Sequence, residues 1–109
     1  MSIGVYKITN IINSKIYVGS SAVSIENRWK SHLSDLRCNK HHSGRLQNAW
    51  NKYGKDSFVF EILEECPKED VLKVEQRYID ELNPFYNICR VKNYLPRVKL
   101  VELVRNALI

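Results

Sequence analysis

Apolar and polar residues alternate along two stretches near the N-terminus, and this pattern predicts a β-hairpin. The strands are predicted over residues 3–10 and 15–20, with Asn13-Ser14 as a two-residue turn. A third alternating stretch over residues 58–63 predicts another strand. The sheet is therefore expected to hold at least three strands.

The parity of the hairpin determines where its tyrosines point. With the two-residue turn, Asn10 lies opposite Tyr17, and Tyr6 shares the face of Tyr17. A four-residue loop keeps this parity, whereas a three-residue loop breaks it. Two phenols on one face, each near a glycine, are compatible with a functional site. They are equally compatible with a half-buried cross-strand contact.

Apolar residues recur at helical spacing in three segments, each with end signals. The predicted helices are residues 25–36 capped by Ser24, a second capped by Ser43 and stopped by Gly54, and a third opened by Pro67 and ended by Asn83-Pro84. The third helix is expected to bury one apolar face formed by Val71, Val74, Tyr78 and Leu82. The pattern as a whole predicts a mixed α/β fold.

The C-terminal part of the chain carries two further signals. Tyr86-Asn87-Ile88 is expected to return to the edge of the sheet, and Pro96 is a candidate start of a last helix. We therefore predict one main domain over residues 1–93 and a helical extension or linker over residues 94–109.

Length and composition favour one soluble globular domain. The chain has 109 residues, of which 44% are hydrophobic and 27% charged. No apolar run reaches the length of a bilayer span, so a membrane partner is not expected. Cys38, Cys66 and Cys89 have no paired spacing, which favours a reducing intracellular setting over a disulfide framework or zinc site.

The net charge of +5 is unevenly distributed. No acidic residue occurs between Asp35 and Asp56, and this stretch holds five Lys and Arg residues as well as two adjacent histidines. A basic surface of this kind suits a polyanionic partner. Charge alone leaves a solvated surface without a ligand as an equal alternative.

Three polar residues lie close to predicted apolar helix faces. Arg28 and His32 are four residues apart and project from the same face of the first helix. Glu75 follows Val74 at the border of the third helix's buried face, where a carboxylate needs a partner, a metal or a raised pKa. From spacing alone, a surface Arg–His pair and a structural ion pair of Glu75 remain open.

Five short motifs occur in a specific order. They are Gly4-Val5-Tyr6, Tyr17-Val18-Gly19, Arg28 with His32, Glu75, and Tyr86-Asn87. This ordered set, over residues 4 to about 90, resembles the GIY-YIG nuclease domain, with Val5 and Val18 in place of the isoleucines of the name motif. The segments around Arg28 and from His42 to Gly54 are similar to the phage and intron homing-endonuclease branch.

The resemblance implies a fold and a chemistry. The fold is a small α/β (α+β) domain with a central three-stranded antiparallel sheet flanked by helices. The activity is divalent-metal-dependent hydrolysis of DNA phosphodiester bonds, with one Mg²⁺ or Mn²⁺ ion held by Glu75. Such a hard cation keeps most of its waters, so the substrate phosphate would complete its coordination.

The resemblance also implies roles for the other site residues. Tyr6 would be the general base, with its pKa lowered by His32, Lys15 or the ion, and Arg28 would clamp the scissile phosphate. Tyr17 would position water or phosphate. Three further residues would support the site or contact phosphate. They are Lys15, His42 and Asn87, of which Asn87 would brace the site from the sheet edge.

The expected partner is DNA. Lys40, Arg45 and Lys52 are predicted to contact its backbone, and homing enzymes with this domain usually carry a separate or C-terminal DNA-targeting module. The setting would be the cytoplasm of a bacterial or phage host. Two alternatives stay open: a structure-selective repair or recombination nuclease, and a catalytically inactive DNA-binding module of the same fold.

Overall fold

The structure is a computed structural model that describes residues 2–87, and its elements follow the predicted order. The strands are β1 (Gly4–Asn10), β2 (Ile16–Ser21) and β3 (Phe58–Glu65), and the helices are α1 (Ile25–Arg37), α2 (Gly44–Tyr53) and α3 (Val71–Leu82). Single-turn 3₁₀ helices cover Lys55–Ser57, Lys68–Asp70 and Phe85–Asn87. The helix predicted from Pro96 and the boundary between residues 1–93 and 94–109 lie outside the described residues.

The three strands form one antiparallel sheet in the order β2-β1-β3. The central strand β1 therefore pairs on both sides, which confirms the predicted three-stranded antiparallel sheet. A β-bulge lies between Val5 and Tyr6 in the pairing with β3. At Gly4, just before this bulge, a Cβ atom would lie 2.1 Å from the carbonyl oxygen of Glu64, so only glycine allows β3 to approach.

The hairpin loop differs from the predicted two-residue turn. Asn10 donates its backbone N–H to the carbonyl of Lys15 at 2.9 Å, which leaves a four-residue loop over residues 11–14. The register is thus shifted, and Ile8 instead of Asn10 lies opposite Tyr17. Because a four-residue loop preserves parity, the prediction that Tyr6 and Tyr17 share one face is confirmed.

The end signals of the first two helices are confirmed. The Ser24 hydroxyl accepts from the Asn27 N–H at the start of α1. Ser43 accepts in the same way from Leu46 at the start of α2, and Gly54 ends α2 at a φ of 84°.

The third helix begins and packs differently from the prediction. Pro67 precedes a 3₁₀ turn, and α3 begins at Val71. Asn83, in the left-handed conformation at a φ of 46°, ends it as predicted. Leu82 is 42% exposed and was wrongly assigned to the buried face.

The sheet carries a separate packed layer on each face. Residues of β1 and β2, including Ile8 and Tyr17, pack with Leu36 of α1 and Leu46 of α2. On the other face Val5 and Val18 pack with Val74 of α3. The two tyrosines thus lie on the α1 and α2 side, and α3 covers the opposite face.

Residues 86–88 were predicted to return to the sheet edge, and Asn87 does lie there. Up to Asn87, the last described residue, this segment forms a 3₁₀ turn and not a strand. Asn87 accepts from the N–H of Val18 and donates to its carbonyl, both at 2.8 Å. Its side-chain amide therefore satisfies the edge of β2 as a neighbouring strand would. Among residues 2–87, no helix has the length and apolarity that a membrane span requires.

Candidate active site

Tyr6 lies directly over a glycine of the neighbouring strand. Its partner across the sheet is Gly19, and the tyrosine is fully buried. A Cβ atom at Gly19 would lie 2.5 Å from the Tyr6 hydroxyl oxygen and 2.6 Å from the ring. The glycine of the second motif is therefore needed to make room for the tyrosine of the first motif.

A chain of hydrogen bonds leads from the Tyr6 hydroxyl into the protein. The hydroxyl contacts Nε2 of His32, and Nδ1 of His32 contacts Nε2 of His41 at 2.7 Å. Nδ1 of His41 accepts the backbone N–H of Ser43 at 3.0 Å. His32 and His41 are 1% and 8% exposed, so this chain is shielded from water.

The backbone end of the chain determines which atoms carry protons. The Ser43 N–H can only donate, so Nδ1 of a neutral His41 has no proton and its Nε2 carries one. That proton is donated to Nδ1 of His32, whose own proton is then on Nε2. His32 consequently donates to the Tyr6 oxygen, which is the acceptor in this pair.

The environment keeps both imidazoles neutral. Burial is the main cause that lowers the pKa of His32 to about 3 and that of His41 to about 4, and the charge of Arg28 lowers both as well. At neutral pH neither ring carries a second proton. The direction of donation therefore holds throughout the physiological range.

A second phenol–imidazole pair lies beside the first. The Tyr17 hydroxyl is 2.9 Å from Nε2 of His42, which is exposed. Burial raises the pKa of Tyr17 to about 12, and it raises the pKa of Tyr6 above its ordinary value of 10. Both phenols are therefore protonated at neutral pH unless a positive charge is added nearby.

Charges of opposite sign act on both phenols. The charge of Arg28 lowers the pKa of Tyr6 and Tyr17, and the charge of Glu75 raises both. Arg28 is exposed on α1, one turn before His32. Although α3 packs on the opposite face of the sheet, the Glu75 carboxylate thus lies within electrostatic range of both hydroxyls.

Glu75 is half-buried and has no polar side-chain partner among residues 2–87. The salt bridge in this part of the chain joins Arg77 to Glu64, and no side-chain hydrogen bond reaches Glu75. The ion pair considered as an alternative role for Glu75 is therefore absent from the described residues. A half-buried carboxylate without a partner is open to a cation.

The described residues contain no group of three or more His, Cys, Asp and Glu side chains that could hold a metal ion. A cation at Glu75 would thus have one protein carboxylate as its ligand. This ligand set fits a hard cation such as Mg²⁺, which commonly binds one or two carboxylates and keeps several waters.

Tyr86 and Asn87 brace the layer beneath the tyrosines. Tyr86 is buried, accepts from the side chain of Asn10 at 3.1 Å, and packs in the same cluster as Tyr17. Its carbonyl accepts from the Ser43 hydroxyl. Together with the bond of Asn87 to Val18, these contacts fix β2 relative to α2.

Several predicted residues make no hydrogen bond to the hydroxyls of Tyr6 and Tyr17. The ammonium of Lys15 lies 3.8 Å from the ring centroid of Phe85, and Lys15 is not among the charges that act on Tyr6 or Tyr17. Arg45 and Lys52 line the same shallow cavity as Lys15, whereas Lys40 is exposed elsewhere. Their predicted phosphate contacts remain predictions.

His41 is the site residue to which the sequence analysis gave no role. It was counted only as one of two histidines in a basic stretch. Its position two residues before a helix cap is the available signal, since Nδ1 of a histidine there can accept the backbone N–H of the cap residue. The contact with His32 depends on how α1 and α2 pack, which spacing does not reveal.

Comparison with known proteins connects this geometry to a family. The GIY-YIG catalytic domain model matches residues 2–87. The chain is 45% identical over 89 residues to intron-associated endonuclease 1 of Enterobacteria phage T4, covering 80% of this chain and 36% of that protein. It spans about a third of the length of the curated relatives it matches.

Two solved structures share the fold. The catalytic domain of homing endonuclease I-TevI is 42% identical with a TM-score of 0.69, covering 74% of this chain and 88% of that one. The E75A mutant of the catalytic domain of intron endonuclease I-TevI is 38% identical with a TM-score of 0.72, covering 87% and 98%. The family match, these likenesses and the site geometry together establish that the chain belongs to the GIY-YIG nuclease family.

Proposed function

We propose that this chain is the catalytic domain of a homing-type endonuclease, which hydrolyses DNA phosphodiester bonds with one Mg²⁺ or Mn²⁺ ion. The observation that carries the proposal is the pair of opposite charges on Arg28 and Glu75 that both act on the two phenols. An anionic phosphodiester needs a cation to neutralise it and a base to deprotonate water. GIY-YIG nucleases are generally dependent on divalent metals, and this site offers one carboxylate for such an ion.

Arg28 is suited to bind the scissile phosphate. It is exposed at the site, and its guanidinium can donate two parallel hydrogen bonds to phosphate oxygens. Bound at Glu75, the metal would supply Lewis-acid stabilisation of the charge that develops on the phosphate and leaving group.

Tyr6 is suited to hold and accept a proton of the attacking water. His32 donates to its oxygen, and the same donation stabilises a phenolate. Burial opposes ionisation of Tyr6, so the positive charge of Arg28 and of the bound cation would have to offset that cost. A Tyr6 phenolate would take one proton from the water, and the resulting hydroxide would attack phosphorus. The bond from phosphorus to the leaving oxygen would break, and that oxygen would take up a proton from solvent.

The other proposed roles follow from position. Tyr17 and His42 form a second pair that can bind water or a phosphate oxygen, and Asn87 supports β2 beneath them. We further propose that targeting depends on a separate or C-terminal DNA-binding module. The enzyme would act on DNA inside the host cell, in the cytoplasm of a bacterial or phage host.

Plasmid cleavage tests the proposal. Supercoiled DNA should be nicked or linearised with Mg²⁺ or Mn²⁺, and EDTA should stop the reaction. Glu75→Gln and Arg28→Ala should each lower the rate at least about 100-fold, which is typical of losing one charge-stabilising group. Because neither residue has an ion-pair partner among residues 2–87, the thermal midpoints should stay near that of wild type.

Different substrates separate the alternatives. Undiminished cutting in EDTA would reject the metal requirement. Cutting of branched DNA alone would favour a structure-selective nuclease. Binding without cleavage of duplex, branched and single-stranded DNA at high enzyme concentration would favour an inactive DNA-binding module.

A further inference from the structure

Two cationic side chains lie over one exposed aromatic ring at the hairpin end of the domain, and a third, Lys52, lies over the neighbouring ring of Tyr53. The Lys15 ammonium lies 3.8 Å and the Arg45 guanidinium carbon 4.2 Å from the ring centroid of Phe85. Lys52 lines the same cavity of about 190 Å³, and Phe85 is 37% exposed. We call this place the Phe85 cleft, formed by Lys15, Arg45, Lys52 and Phe85.

The charges of the Phe85 cleft have no acidic partner within the described part of the chain. The salt bridge found there joins Arg77 and Glu64 on the other side of the sheet. The Nε atom of Arg45 is buried and has no hydrogen-bond partner among residues 2–87. Lys15 and Arg45 are therefore held by the ring of Phe85 and not by carboxylates, so they remain available to an anion.

The ring restricts cations that would otherwise be mobile. Long Lys and Arg side chains lose considerable conformational freedom when they are fixed by a ligand. Contacts to one shared ring place two of them close together before the ligand arrives. Fixing charged groups in advance lowers the entropic cost of binding.

The Phe85 cleft lies next to the proposed reaction centre. Lys15 is two residues before Tyr17 on the chain, and Tyr86 both lines the cavity and packs in the cluster of Tyr17. A strand bound at Tyr17 and Arg28 would therefore pass close to the Phe85 cleft. Lys40, in contrast, is outside its lining.

We infer that the Phe85 cleft binds backbone phosphates of the substrate DNA beside the catalytic centre, with Phe85 positioning Lys15 and Arg45. This inference rests on the proposed function, since it assigns a subsite for the same substrate. The cleft contributes affinity and alignment of the strand, and it reads no base sequence because phosphates are the same at every position.

Fluorescence anisotropy with a labelled 30-base-pair duplex in EDTA tests the inference, since EDTA prevents cleavage. The variants are Lys15→Gln/Arg45→Gln and Phe85→Leu, and the matched control is Lys68→Gln/Lys73→Gln, which removes two charges on the α3 side. The cleft double variant should flatten the slope of log K against log salt by about 0.9 per lost contact, while the control double variant changes it little.

Phe85→Leu gives the sharpest result because it changes no charge. Loss of the ring should weaken DNA binding by about fivefold, which corresponds to losing a pair of exposed cation–π contacts. Circular dichroism should show an unchanged fold. Either of two results would overturn the inference. One is that Lys15→Gln/Arg45→Gln binds the duplex as tightly as the control variant, and the other is that Phe85→Leu binds it as tightly as wild type.

The outcome is separable from that of the proposed function. Wild-type cleavage with Mg²⁺ combined with unchanged binding of the cleft variants would leave the nuclease and remove the subsite. Selective loss of binding in a chain that never cuts DNA would support the Phe85 cleft and reject the nuclease. A wild-type chain that does not bind the duplex at low salt would overturn the subsite as well.

Discussion

The two phenol–imidazole pairs stand on one face of the sheet, yet their surroundings differ. Tyr6 and His32 are almost completely buried. The backbone N–H of Ser43 determines which nitrogen of His41, and through it which nitrogen of His32, carries the proton. Tyr17 is also buried, but its partner His42 is exposed, and within residues 2–87 no backbone donor binds the other ring nitrogen of His42. Burial and a backbone donor thus make Tyr6 a fixed acceptor, whereas the Tyr17 pair can exchange its hydrogen bond with water or substrate.

The largest expected effect on cleavage comes from a variant that displaces Tyr6 from His32 and leaves Tyr17 and His42 in place. Gly19→Ala would place a Cβ atom 2.5 Å from the Tyr6 hydroxyl and push the ring off His32. We expect cleavage to fall by about 10²–10⁴-fold, the range for losing a general base, with about 1–3 kcal/mol lost in stability from overpacking.

The matched control is Gly44→Ala, since a Cβ atom there meets no atom within 4 Å. It should cleave and unfold like wild type. Cleavage rates normalised to the folded fraction, with thermal midpoints for both variants, make the comparison. An active Gly19→Ala enzyme would contradict the placement of Tyr6 at the reaction centre.

Removing each hydroxyl in turn sharpens the comparison. Tyr6→Phe should lower the single-turnover rate about 10²-fold or more, because the proton acceptor is lost. Tyr17→Phe should lower it only about tenfold, since water can reach the exposed His42 that the hydroxyl contacts. Equal losses would show that the two phenols do not have different roles.

The pH dependence of stability distinguishes the two histidine environments. The pKa of His32 is lowered to about 3 and that of His41 to about 4 in the folded state, against about 6.5 when unfolded. Well above pH 6.5 both histidines are neutral in the folded and in the unfolded protein. As the pH falls below 6.5, they are protonated first in the unfolded protein. The free energy of unfolding should therefore fall between pH 6 and 4, by at most about 1.4 kcal/mol per pH unit for each histidine, and the contribution of His41 should fade as pH 4 is approached.

Denaturant unfolding across that pH range measures this slope. His32→Gln should reduce it, since one buried histidine is gone. His42→Gln should reduce it less, because His42 is exposed. A stability that does not change between pH 6 and 4 would mean that the buried rings are charged in the folded protein.

The smallest expected effect is on catalysis by His42→Gln. The exposed ring contacts Tyr17 at 2.9 Å, and solvent can supply a substitute hydrogen bond. We expect kcat/KM to fall by less than about tenfold. A loss as large as that of Tyr6→Phe would place His42 among the reacting groups.

Features that depend on local chemistry were predictable from the sequence. Ser24 and Ser43 cap helices because a short hydroxyl side chain accepts the free N–H groups of the first turn. Gly54 and Asn83 end helices because they adopt positive φ angles. These signals need no knowledge of the rest of the chain.

Features that depend on distant contacts were not predictable. The side chain of Asn10 accepts from Ile12 within the hairpin loop, and it also donates to Tyr86, 76 positions away. His41 lies in the loop between α1 and α2, and it meets His32 because this loop folds back on α1, where Gln47 of α2 also donates to the carbonyl of Leu36. Leu82 fits the helical period, but the last turn of α3 leaves it exposed. The ordered motifs identified the family, while the proton chain became visible only in three dimensions.

The central claim is that neutral His32 donates its Nε2 proton to Tyr6. Nitrogen-15 NMR of the histidine rings at pH 6 tests it directly. We predict that His32 and His41 are neutral and that each carries its proton on Nε2. In Tyr6→Phe, the Nε2–H of His32 should no longer be hydrogen-bonded. A His32 that is doubly protonated at pH 6, or that carries its single proton on Nδ1, would contradict the account.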